Sequence, residues 1–147
     1  MSNKTVKRNN KNRNKQAVSL PNRSFDKETP IWCFDNVDNS DIFRLSKETV
    51  NCNLMIDKLL LLSKMTWAKI KAATHDDGKS KNHELDYNGI SIEGQNRIRA
   101  KNLSDEDIDT IFSIAFTNKI RLIGLKKDRV FHAMWYDENH EFYPVKR

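Results

Sequence analysis

The side chains best able to move protons or hold phosphate crowd the end of the chain, in Trp135-Tyr136-Asp137-Glu138-Asn139-His140-Glu141-Phe142-Tyr143-Pro144. Lys119 and Arg121 open the strand-like run before it, and Lys126, Lys127 and Arg129 fall between the two runs. Cleavage of an RNA phosphodiester needs one group to take the 2′-OH proton and another to protonate the departing 5′-oxygen. It also needs fixed cations for the charge that builds on the phosphate. His140 suits proton transfer, Arg121 and Lys119 suit the phosphate, and Tyr143 or Tyr136 suits proton transfer or stacking on an unpaired base. Lys126, Lys127 and Arg129 are candidates for the RNA backbone.

Each candidate has a plainer alternative. Arg121 fits an ion pair with Asp105, Asp107 or Asp109 as well as a phosphate. His140 sits in a polar turn where a local hydrogen bond competes with catalysis. Lys126-Lys127 reads as a solvated turn, and Trp135 as core. His132, between Phe131 and Ala133, reads as a structural or surface residue, and His75, beside two acids, as a solvated one.

Other chemistries lack their signatures. The chain has no GxxxxGK[ST], GxGxxG or GxSxG, and its four glycines leave little for a phosphate cradle. His75, His83, His132 and His140 do not combine with Cys33 and Cys52 in zinc-finger spacing. Asp137-x-x-His140 makes no metal site without a third convergent ligand, so no metal or cofactor is assigned.

The elements that must position these residues can be sketched. Ile31-Trp32-Cys33-Phe34 reads as a short strand before a turn-rich Asp35–Ser40. Asn51 caps an expected helix from Leu54 to about Met65, apolar around its whole circumference and therefore expected to be the most buried one. Thr66 caps a second, Trp67 to Ala73. Thr74–Lys81 is a loop by composition, and His83–Tyr87 a short edge strand. Ser104-Asp105-Glu106-Asp107 has cap spacing, and Ile108, Ile111, Phe112 and Ala115 continue it at helical period, predicting a helix that ends near Asn118. Ile120–Leu125 and Val130–Tyr136 read as a hairpin joined by Lys126-Lys127-Asp128-Arg129. These elements predict an α+β domain, with helices packed on one face of an antiparallel β-sheet that includes the C-terminal hairpin.

Charge divides the chain into an arm and a domain. Residues 1–24 hold seven bases, including Lys4, Lys7, Arg8, Lys11, Arg13 and Lys15, and no acid; this leaves 19 bases against 20 acids in residues 25–147. The net charge of +6 therefore belongs to an arm too poor in apolar residues to order itself. That arm is expected to be disordered and to meet nucleic-acid phosphates, or simply to keep the chain soluble. The longest aliphatic run, Leu59–Leu62, falls far short of the roughly 20 residues of a membrane span. No apolar stretch of secretory type follows the basic residues, so a cytoplasmic location and free thiols are expected.

Asn118-Lys-Ile-Arg121-Leu-Ile-Gly-Leu, a basic turn, Val130-Phe-His-Ala-Met-Trp-Tyr-Asp and then His140-Glu-Phe-Tyr143 resemble the C-terminal part of RelE/ParE-superfamily toxins, most of all their HigB-like branch. The resemblance spans about 30 of the 147 residues. It implies helices followed by an antiparallel sheet and a metal-independent endoribonuclease of toxin–antitoxin type. RNA on the ribosome and a cognate antitoxin would be its partners. Arg121 would be the phosphate ligand, and His140 and Tyr143 the acid/base or RNA-contacting groups. The alternative is a non-enzymatic accessory module of a phage or mobile element that binds nucleic acid or protein through its arm and helical face.

Overall fold

A computed structural model describes residues 24–144 of the chain. The expectations for Lys4, Lys7, Arg8, Lys11, Arg13 and Lys15 lie outside the described residues.

Strand β1 (Ile31–Cys33) precedes helices α1 (Cys52–Leu62) and α2 (Trp67–Ala72). A two-residue strand β2 (His83–Glu84), a 3-10 turn (Tyr87–Gly89), helix α3 (Ile92–Ala100) and the single turn α4 (Asp105–Ile108) follow. Strands β3 (Ile111–Ala115), β4 (Arg121–Lys127) and β5 (Val130–Asp137) complete one sheet of order β1-β5-β4-β3-β2. The α+β class and the terminal hairpin stand as expected. The sheet, however, is mixed rather than antiparallel, because β1 runs parallel to β5, Cys33 beside His132. Residues beyond β1 continue along the same strand: Asp38 donates its N–H to the Met134 carbonyl, and Phe43 accepts from the Tyr136 N–H. They cover an edge that would otherwise offer free backbone groups.

Both faces of the sheet are buried, not one. Phe112, Ile114, Leu122, Phe131 and Ala133 pack with Leu59, Leu62, Trp67 and Ile70 of α1 and α2. Ile111, Ile123, Leu125, Met134 and Trp135 pack on the other face with Ile90, Ile98 of α3 and Phe142. This two-sided burial explains the main error of the sequence reading. The predicted helix at 104–118 is one turn, α4, and then β3. A central strand covered on both faces is apolar at nearly every position, and the alternation that marks a half-exposed strand disappears. Its residues then satisfy a helical template by accident.

The α1 expectation fails for the opposite reason. Only the stripe toward the sheet, Leu59 and Leu62 with Leu54 and Met55 beside them, meets the core. Ile56, Leu60 and Leu61 keep 56–60% exposure because nothing among the described residues covers the outer face. Its cap is as expected: Asn51 accepts from the Leu54 N–H at 3.1 Å. Asn51→Ala should lower stability by about 1 kcal/mol, read as a lower urea midpoint at unchanged m.

The hairpin is tighter than expected. Lys127 pairs with Val130, and only Asp128 and Arg129 form the loop, with Asp128 at φ 58°. A bulge at Ile123/Gly124 lets Met134 and Trp135 both reach the α3 side. Gly124 is what permits it, since a Cβ there would sit 2.1 Å from the His132 carbonyl oxygen. Among the described residues no helix is long and apolar enough to cross a membrane.

Candidate functional site

At the start of β4 and the end of β5 the α3 face of the sheet turns polar. Arg121 pairs with Asp137 across the two strands, and both are buried. Asp137 spends its two carboxylate oxygens on the chain that follows, accepting from the N–H groups of Glu141 at 2.9 Å and Phe142 at 2.8 Å. That tie closes a tight turn with His140 in the left-handed region, φ 59°, and drives Phe142 into the core. Asp137 is therefore a turn anchor. The Phe142 carbonyl then accepts from the Ser91 N–H, holding the exit against the start of α3. Tyr143 lies over Gly89, where a Cβ would come within 2.6 Å of its ring, and meets the His83 ring edge-on at 5.9 Å.

The opposite wall is the 74–81 loop. Thr74 and Ser80 bridge its ends, Gly78 turns it at φ 85°, and Asp77 accepts from the Lys79 N–H. Asn82 docks it: its amide donates to the Ile70 carbonyl, and its oxygen accepts from the Ala115 N–H. His83 follows in β2 directly opposite Ser113.

Between these walls lies a cavity of about 660 Å³, lined by His75, His83, His140, Arg121, Lys79, Lys81, Tyr143, Ser113 and Asn118 among others. Three cations, the buried Arg121 and the exposed Lys79 and Lys81, share this lining with two carboxylates, Asp76 and Asp77. Arg121 gives only Nη1 to the protein, donating to the Thr117 carbonyl at 2.6 Å and the Ile120 carbonyl at 3.2 Å. Its Nε and Nη2 make no hydrogen bond among the described residues, so a buried guanidinium keeps donors for an anion. Burial pulls Arg121 below its ordinary value, while the Asp137 charge opposes that. His140 is also pushed down, first by burial and then by the Arg121 charge, with Asp137 opposing. It is accordingly neutral at pH 7, the form that accepts a proton.

His83 complements it. Its Nδ1 lies 2.8 Å from the Glu84 carbonyl. A carbonyl only accepts, so Nδ1 carries a proton and Nε2 is the atom left for other partners.

The lowered His140 value has a consequence for stability. A histidine neutral in the fold and ordinary when unfolded contributes fully above about pH 6.5, and its contribution falls as pH drops toward the folded value. The difference in unfolding free energy between wild type and His140→Asn should therefore shrink as pH is lowered from 7.5 to 5.5 in urea melts. Asn tolerates the positive φ.

The other expected site residues lie elsewhere. Lys119 is exposed in the β3–β4 turn and does not line the cavity. Tyr136 points to the opposite face, buried among α1 and α2 residues with its hydroxyl accepting from the Asn51 N–H. Lys126, Lys127 and Arg129 sit at the far end of β4, whose seven residues span roughly 20 Å. There Lys126 lies 4.8 Å over the Trp67 ring, Lys127 pairs with Asp107 and Arg129 with Glu28. Lys126 and Arg129 join the framework, whereas Lys127 stays exposed as expected of a turn, and Asp107 is its partner rather than that of Arg121. Trp135 is core, as read, with its indole N–H donated to Asp38. His75, read as solvated, is half-buried in the cavity wall.

Sequence reasoning missed His75, His83, Lys79 and Lys81 as cavity residues. Only the placement of Leu85 in the core hinted that His83, two residues earlier on β2, would face the same side. Comparison with protein-family models, with curated proteins and with solved structures returned no match for this chain, which leaves the cavity's own chemistry as the guide to function.

Proposed function

We propose that the chain is a metal-independent endoribonuclease of the RelE-like toxin type, acting at this cavity. The observation that carries the reading is the convergence of Arg121, His140 and Tyr143 with His75, His83, Lys79 and Lys81 around one space large enough for a nucleotide. Neutral His140 takes the 2′-OH proton, and the freed oxygen attacks the adjacent phosphorus. His83, with Nδ1 held by the Glu84 carbonyl, is the general acid and gives a proton from Nε2 to the 5′-oxygen as that bond breaks. The products are a 2′,3′-cyclic phosphate and a 5′-hydroxyl end. Arg121 holds the phosphate oxygens with Nε and Nη2, donors already fixed and half-dehydrated before substrate arrives. Lys79 and Lys81 draw the strand in, and Tyr143 offers a ring to an unpaired base.

Its partners are then RNA, on or off the ribosome, and a cognate antitoxin. Induced expression of the full chain should arrest growth and fragment mRNA, and His140→Asn should relieve both. Normal growth with intact RNA under wild-type expression would instead favour a non-catalytic binding module.

A further inference from the structure

A second cluster lies on the other edge of the sheet, outside the cavity. Cys33 ends β1, and the parallel register sets it beside His132 of β5. Asp35, two residues on, turns back over the pair, its carboxylate 3.0 Å from His132 Nδ1. One ligand atom from each of the three residues lies within 4.8 Å of the others, the one such His/Cys/Asp/Glu group among the described residues. None of the three lines the cavity.

We propose that Cys33, Asp35 and His132 bind a zinc ion through sulfur, carboxylate oxygen and imidazole nitrogen, with the fourth position open to solvent. The spacing is close to what the ion requires. Tetrahedral zinc with sulfur, nitrogen and oxygen at their usual bond lengths separates its ligand atoms by about 3.3–3.6 Å. The carboxylate and imidazole already stand that near, and roughly 1 Å of side-chain movement brings in the thiol. The donor set selects the metal: a thiolate beside an imidazole suits zinc and disfavours magnesium and calcium, which take oxygen ligands.

The ion must displace two contacts of Asp35, one with His132 and one with the Cys33 thiol, which holds that thiol above its ordinary value. Asp35 is 62% exposed, so its contact with His132 is a surface pair that water and salt weaken. Cys33 and His132 are half-buried, held by strand pairing, and need no backbone change to present their ligand atoms. Binding releases the thiol proton to solvent as the Zn–S bond forms, so affinity should rise with pH.

Zinc titration of the reduced full chain against a chromophoric chelator tests this, with cobalt(II) as the spectroscopic probe. Wild type and Cys52→Ser should each bind one zinc, and cobalt should give a thiolate charge-transfer band in the near ultraviolet. Cys33→Ser should abolish that band. Cys33→Ser and His132→Asn should each weaken zinc at least about tenfold, the lower bound even for residues that only support ligands. Zinc should also raise the melting temperature of wild type and not of Cys33→Ser. The proposal is overturned if no stoichiometric zinc is bound, or if binding survives both substitutions. Loss of zinc in His75→Asn or His83→Asn instead would overturn it equally, by moving the ion to the cavity.

Discussion

Arg121→Ala should lower kcat/KM for RNA cleavage by about 100–1000-fold, the usual loss when one preorganised donor to a developing anion is removed. The effect should be this large because the guanidinium is buried, touches the protein through Nη1 alone and keeps its other donors for the cavity. Arg121→Lys, which keeps the charge and loses the planar fork, should recover only part of it. Asp137 stays satisfied in both variants by the Glu141 and Phe142 amides, so the His140 turn should persist. Single-turnover cleavage checks the rate, and near-ultraviolet circular dichroism checks the fold. Activity within about threefold of wild type for Arg121→Ala would remove the phosphate role.

Asp38→Ala should be the most damaging change to stability, by about 3–5 kcal/mol, the range for breaking a buried ion pair on one side. The Asp38 carboxylate is 3% exposed and receives Arg97 Nε and Nη2 at 2.8 Å each and the Trp135 indole N–H at 2.8 Å. Burial alone would push its pKa up; the hydrogen bonds from Arg97 and Trp135 outweigh burial and hold it below the ordinary carboxylate value. Its contribution is thus complete above about pH 4 and is lost as pH falls through the lowered value. Removing it strands a guanidinium and a buried indole N–H together. Urea melts at pH 7 should show the loss in midpoint, and Asp38→Ala with Arg97→Met should recover part of it by deleting the stranded charge. A double variant as unstable as the sum of its parts would show that the pair is not coupled.

What the sequence revealed, and what it hid, follows from the range of the interactions involved. Caps are local contacts between residues three apart, and Asn51, Thr66 and Ser104 all cap as read. The β4–β5 hairpin is nearly as local. Ile31–Cys33 was legible as a strand, but nothing near it announces that it pairs in parallel with β5, about 100 residues on. That register alone brings His132 to Cys33. The same limit applied to the cavity. His140, Tyr143 and Arg121 stand out because the hairpin and its exit are continuous in sequence. His75 and Lys79 belong to a loop whose docking depends on Asn82 bridging α2 and β3, and a single buried amide leaves no periodic trace. Tyr136 misled because aromatic type does not tell which face of a strand is core, and the bulge at Ile123/Gly124 shifts the alternation just before it.

The most direct measurement is cleavage of an RNA oligonucleotide by the purified full chain in EDTA, with and without translating ribosomes. It is set beside the same oligonucleotide carrying a single 2′-deoxy sugar at the cut position. Cleavage in EDTA that leaves a 2′,3′-cyclic phosphate, stops at the deoxy substitution and disappears in His140→Asn is the predicted result. Cleavage that needs a divalent metal, proceeds through the deoxy position or survives His140→Asn would contradict it.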